Sequence, residues 1–121
     1  MFILSLVNTL LLTTAMVGFG IIFIKKAPKK INYIYGYRTP MSMKNKDTWI
    51  FAHKYAGKVW IISGIITFIV SVTLAFVLRG LKSYDTFMLV LIFVQIIILL
   101  LVIPLTEIAL RKNFDKDGNK K

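Results

Sequence analysis

Three stretches of this chain, residues 2–24, 59–78 and 87–105, contain no charged side chain. Each is close to the roughly 20 residues that an α-helix needs to cross a hydrocarbon core of about 30 Å. The expected fold is therefore all-α and integral to a membrane, with three transmembrane helices. A chain of 121 residues is one domain at most. Its hydrophobic share of 57% exceeds what an ordinary soluble domain carries, and the excess must face lipid.

The flanks of these runs carry further expectations. For residues 2–24 a cleaved signal peptide is the rival reading. No Lys or Arg precedes the run and no small-x-small cleavage site follows it, whereas Lys25, Lys26, Lys29 and Lys30 close it as a stop-transfer flank would. A retained span is expected. In the second span Trp60 marks the start and Arg79 the end, with Gly80 placed to cap the helix C-terminus. The connection from Arg79 to Thr86 is short, so the third helix returns antiparallel, with Asp85 as its expected N-cap. Pro104 is positioned to kink that helix near its end. From Glu107 the chain becomes a polar, Lys-rich tail (106–121) that is expected to fray.

Charge is distributed unevenly. The segment 25–58 holds nine basic residues against one acid, Asp47; the tail holds five, and the 79–86 connection holds only Arg79 and Lys82. Short loops rich in Lys and Arg stay cytoplasmic, so the N-terminus is expected outside the cell membrane and the C-terminus inside. A net charge of +11 on a soluble fold would suggest nucleic acid. Here the cations sit beside apolar runs, and anionic lipid headgroups are the expected partner. Tyr33, Tyr35, Tyr37 and Trp49 are interleaved with them, as at a headgroup interface. Single-strand nucleic-acid binders show similar interleaving. No nucleic-acid partner is expected, because this loop is too short to fold apart from the bilayer.

Residues 35–57 hold most of the side chains that are neither apolar nor simply charged. Gly36 is free of Cβ restrictions, and Pro40 drives Thr39 out of the helical region, so Arg38 is held outward on a turn. Asn45 or Ser42 can cap a new helix, and Asp47 suits the positive end of its dipole. Trp49, Ala52, His53, Ala56 and Trp60 then recur on one face, as in an amphipathic helix lying at a cytoplasmic membrane surface. Its continuity with the second span, or a bend at Gly57, is left open at this level.

Gly-Tyr-Arg-Thr-Pro at 36–40, with Asn45, Trp49, Ala52 and Gly57, resembles the signature of the SdpI family of bacterial membrane proteins. The resemblance of side chains is confined to this loop; the flanking helices match in layout. That family is named for an immunity protein against a secreted toxic peptide. The resemblance implies an immunity or signalling role, exercised by binding the peptide within the bundle or a cytoplasmic regulator at the loop. The binding residues it implies are Gly36, Tyr37, Arg38, Thr39, Pro40, Asn45 and Trp49. A small transporter or an accessory subunit of a larger membrane complex is the alternative. Three helices make a thin bundle, so a homo-oligomer is compatible with either.

Polar residues within the spans are few. Ser5, Thr9 and Thr13 form one stripe, and Ser63, Thr67, Ser71 and Ala75 another, as small-residue seams let helices approach in lipid. Asn8, Ser71 and Gln95 fall at similar depth and are expected to form an intramembrane polar layer joining all three helices. Catalysis has no candidate constellation. The lone His53 lacks the further ligands a metal needs and the partners of a triad, and is expected on the polar edge of the surface helix. Asp47 and Glu107 form no supported carboxylate pair. There is no cysteine, and Gly18-Phe19-Gly20 lies in a span rather than after a strand. No enzyme activity, cofactor or metal is expected. Arg38, whose planar fork can clamp a phosphate or carboxylate, is the residue expected to carry a specific role.

Overall fold

The computed structural model describes residues 1–32 and 34–121; Tyr33, one of the expected interfacial aromatics, lies outside the described residues. The described chain is helical. Helix α1 runs over Phe2–Lys25, α2 over Lys46–Val77, α3 over Tyr84–Leu100 and α4 over Val102–Asn113. Three helical stretches, Phe2–Lys25, Lys46–Val77 and Tyr84–Asn113, are long and apolar enough to cross a membrane. Their outward faces carry Leu4, Leu11, Ile65, Ile69, Phe93 and Ile97, all exposed. Side chains of this kind are at home against acyl chains.

α2 starts where Asn45 can cap it. Asn45 Oδ1 accepts from the Thr48 backbone N–H at 2.9 Å, while Thr48 Oγ1 accepts from the Asn45 N–H at 3.1 Å. These two bonds satisfy free donors reciprocally at the helix start. The helix then continues unbroken for 32 residues, or about 48 Å. The expected surface helix is thus the first turns of α2 rather than a separate element. Its Trp49–Trp60 face turns inward: Ala52 and Ala56 share a core with Phe23, Tyr37, Val102, Leu110 and Phe114.

Gly57 does not bend α2 because it is a crossing point. A Cβ on Gly57 would lie 2.6 Å from the Gly20 carbonyl oxygen, and one on Gly20 would lie 2.7 Å from that of Gly57. The backbones of α1 and α2 touch there, as small residues permit in lipid. Gly64 repeats the device farther along, with its Cβ position 2.9 Å from Val17 Cγ2.

α3 begins at Tyr84 with Ser83 at its N-cap and no side-chain capping bond; Asp85 lies inside the first turn rather than capping it. The Tyr84 hydroxyl instead donates to the Ala75 carbonyl at 2.8 Å, anchoring the short connection. α2 ends at Val77 with Leu78 as its C-cap, and Gly80 does not take a positive φ; among the described residues only Gly36 and Gly118 do. The Leu101 N–H is shared between the carbonyls of Ile97 and Ile98, and α4 starts at Val102. Pro104, four residues after Leu100, has no N–H to offer that carbonyl, which accounts for the interruption.

Beyond Leu105 the structure departs from the expected frayed tail. α4 continues to Asn113 and packs Leu110 and Phe114 into the core, with Phe114 edge-on to Phe51 at 5.5 Å. Asp115 Oδ1 accepts from the N–H groups of Asp117 and Asn119, both at 2.9 Å, and Phe114 pairs with Lys120. Asn45 Nδ2 donates to the Gly118 carbonyl at 2.6 Å. The 26–45 loop and the tail therefore meet at one end of the bundle. At the other end the Met1 amino group lies 3.9 Å from Asp85 Oδ1, and Arg79 sits over the Phe2 ring.

Candidate functional site

The motif loop is folded against α2 by its own polar groups. Thr39 and Ser42 close a turn reciprocally: the Thr39 N–H donates to Ser42 Oγ at 2.9 Å, and the Ser42 N–H donates to Thr39 Oγ1 at 3.2 Å. Pro40 is the first residue inside that turn, where its fixed φ is suited and its missing N–H costs nothing. A second reciprocal pair, Asn45 with Thr48, follows six residues later, and Thr48 Oγ1 lies 3.0 Å from the Ser42 carbonyl, linking the two. Trp49 is buried, and its Nε1–H donates to the Pro28 carbonyl at 2.7 Å.

His53 is the residue whose place differs most from expectation. It is fully buried rather than on a polar edge. Its Nε2 accepts the Tyr37 backbone N–H at 2.9 Å, and Nδ1 lies 2.8 Å from the Trp49 carbonyl. Those partners require the neutral tautomer with the proton on Nδ1. The ring packs edge-on to Phe23 at 5.0 Å and lies 4.3 Å from Trp49. Gly36 is needed beside it for two reasons. Its φ is +109°, and a Cβ there would fall 2.7 Å from His53 Nε2.

Tyr37 carries the loop across to α4. Its hydroxyl donates to Glu107 Oε1 at 2.9 Å and lies 3.2 Å from the Ile103 carbonyl. Burial, followed by the Glu107 carboxylate, pushes the phenol above its ordinary range. It therefore stays a protonated donor across the physiological range. Of the motif residues, Gly36, Tyr37, Thr39, Asn45 and Trp49 spend their chemistry on shaping the loop. Arg38 and Pro40 are exposed. Sequence reasoning missed His53 and Glu107 as parts of this unit.

The second candidate lies between the spans. Asn8 Nδ2 donates to Gln95 Oε1 at 2.8 Å, while Gln95 Nε2 donates to Ser71 Oγ at 2.7 Å and to Thr9 Oγ1 at 2.8 Å. Asn8, Ser71 and Gln95 are thus brought together, with Thr9 as a fourth member that the stripe Ser5-Thr9-Thr13 had already placed on the same face. Gln95 is buried and uses both donors and one acceptor position. Beside it a cleft of about 400 Å³ opens between α2 and α3, with Val70, Leu74 and Leu91 among its walls and Ser71 and Gln95 at its base. Among the described residues no group of three His, Cys, Asp or Glu could hold a metal ion.

A family model described as the SdpI/YfhL protein family matches residues 29–106, which is more than half of the chain. The chain belongs to this family. The matched range holds the motif loop, α2 and α3, and so includes Ser71 and Gln95 but not Asn8 or Thr9. The uncharacterized protein YfhL of Bacillus subtilis (strain 168) is similar to this SdpI/YfhL-family chain, 37% identical over 59 residues. That match covers 44% of this chain and 54% of the relative, about half of the relative's length. No solved structure matches the chain.

Proposed function

We propose that this SdpI/YfhL-family protein is an immunity or signalling protein of the bacterial cell membrane that acts by binding a secreted toxic peptide, not by catalysis. The cleft between α2 and α3 carries the reading. Glycines close the contact of α1 with α2, but α2 and α3 stand apart over about 400 Å³ of largely apolar space. Apolar side chains of a membrane-inserted peptide fit such a space, and the buried polar base would set its depth. The loop then reports or transmits occupancy on the inner side, through Arg38 to a cytoplasmic regulator. A phenol held protonated at Tyr37 and motif amides spent on internal bonds favour binding over proton transfer.

The same reading places the N-terminus outside and the C-terminus inside. Nine basic residues of the 25–58 segment and five of the tail support it, since the loop and tail meet at one end through Asn45 and Gly118. The test is to fill the cleft. Val70→Trp puts an indole into the space from an exposed position on α2. Survival of cells challenged with the peptide should fall to the level of cells lacking the protein, at unchanged membrane abundance. Full protection by the filled variant removes the cleft as the binding place.

A further inference from the structure

We propose that the basic cleft where α1 ends against the start of α2 binds a phosphate-bearing anion, the headgroup of an anionic phospholipid with its first methylenes. The cleft has a volume of about 440 Å³. Five lysines line it: Lys25 and Lys26 from the end of α1, Lys29 from the turn that follows, and Lys46 and Lys54 from α2. No carboxylate is among its lining residues; Asp47 lines the neighbouring hollow with Phe51 and Asn113.

Phe23, Ile24 and Ile50 supply the apolar part of the wall. Lys46, Ile50 and Lys54 are spaced by four, so two cations bracket one apolar side chain along a single stripe of α2. The cleft is held open by structure already described, because the Trp49–Pro28 bond fixes the turn between α1 and the loop. Cations gathered without an acid repel one another, and an anion between them relieves that repulsion. Lysine suits a headgroup of variable orientation: it offers a point charge and three donors on a flexible stem, where an Arg fork would demand one geometry. The Lys stems can lie along the apolar wall while their heads meet the phosphate. A phosphate joined to acyl chains satisfies both halves of the cleft; a soluble phosphate satisfies one.

The experiment uses the full chain carrying Trp60→Phe, which leaves Trp49 as the one tryptophan of the two in the sequence. It is reconstituted in phosphatidylcholine vesicles holding either brominated phosphatidylglycerol or the same fraction of brominated phosphatidylcholine. Brominated phosphatidylglycerol should quench Trp49 more strongly. The combination Lys25→Gln, Lys29→Gln, Lys46→Gln and Lys54→Gln should lower that preference by about tenfold or more. A charge-matched control, Lys44→Gln, Lys112→Gln, Lys116→Gln and Lys121→Gln, should keep it. Lys29→Gln with Lys54→Gln gives a milder second variant that should lower it in the same direction. Equal quenching by the two lipids, or equal loss in the control, overturns the site. Inorganic phosphate at matched ionic strength separates the sources. Failure to displace the lipid assigns the cleft to a headgroup, whereas displacement that depends on the same lysines assigns it to a soluble phosphate.

Discussion

The backbone N–H of Tyr37 donates to Nε2 of His53, 16 residues away, at 2.9 Å, and this bond seats the motif loop on α2. The acceptor is buried, so removing it strands a donor away from water. His53→Phe keeps an aromatic ring against Phe23 but takes the acceptor away. A loss of about 1–3 kcal/mol is expected. Thermal unfolding in detergent measures it, and faster tryptic cleavage after Lys29 or Lys30 would show that the loop has come loose. An unchanged melt and cleavage rate would mean that the bond contributes nothing.

Helix contact through glycine makes a second expectation, with an internal control. Gly57→Ala places a methyl 2.6 Å from the Gly20 carbonyl oxygen, so α1 and α2 must separate or shift. Overpacking of this kind costs about 1–3 kcal/mol. Gly18→Ala, two residues from the crossing, meets nothing within 4 Å and should be neutral or slightly stabilising. Parallel melts of the two variants decide it; equal destabilisation would remove the crossing as the cause.

What was legible in the sequence follows from what is local. Charge-free runs place the spans, because lipid acts on each segment by itself. Depth along three helices brings Asn8, Ser71 and Gln95 together, since rise per residue needs no tertiary knowledge. The burial of His53 was not legible, for it depends on a loop folding back over α2. Gly57 has the ordinary look of a helix breaker until Gly20 is seen opposite it. The tail reads as frayed because its charges dominate its composition, yet Phe114 packs on Phe51 and Asn45 bonds the Gly118 carbonyl.

The polar layer invites a third test. Gln95 joins α1, α2 and α3 through Asn8, Thr9 and Ser71. Gln95→Leu roughly keeps the volume, and the Thr9 and Ser71 hydroxyls can turn to their own helix carbonyls. The loss should be about 1 kcal/mol or less. Abolished protection at normal abundance would instead make Gln95 a ligand contact.

Topology is checked by single cysteines, since the chain has none of its own. Ser83 lies in the connection near Asp85, and Lys120 in the tail hairpin; both are exposed. In whole cells Ser83→Cys should react with an impermeant thiol reagent and Lys120→Cys should not. The reverse pattern would overturn the orientation.

Arg38 decides whether the loop recognises something. The segment 25–58 has nine cations, and each one near anionic lipid contributes about 1 kcal/mol. Losing one should hardly loosen a protein held by three spans. Arg38 differs because its neighbours are pinned on both sides, Tyr37 to His53 and Glu107, and Thr39 to Ser42. A backbone held this way aims the side chain, and Lys keeps the charge without the two parallel bonds of a guanidinium. Under the proposed function, Arg38→Lys should therefore lose most of the protection against a secreted toxic peptide, while Lys44→Ala and Lys54→Ala lose little. Pro40→Ala should fall between, because it relaxes the turn without removing the side chain. Survival is scored with the membrane level of each variant measured alongside. If Arg38→Lys protects as well as the parent at equal level, Arg38 serves only as a charge at the lipid surface.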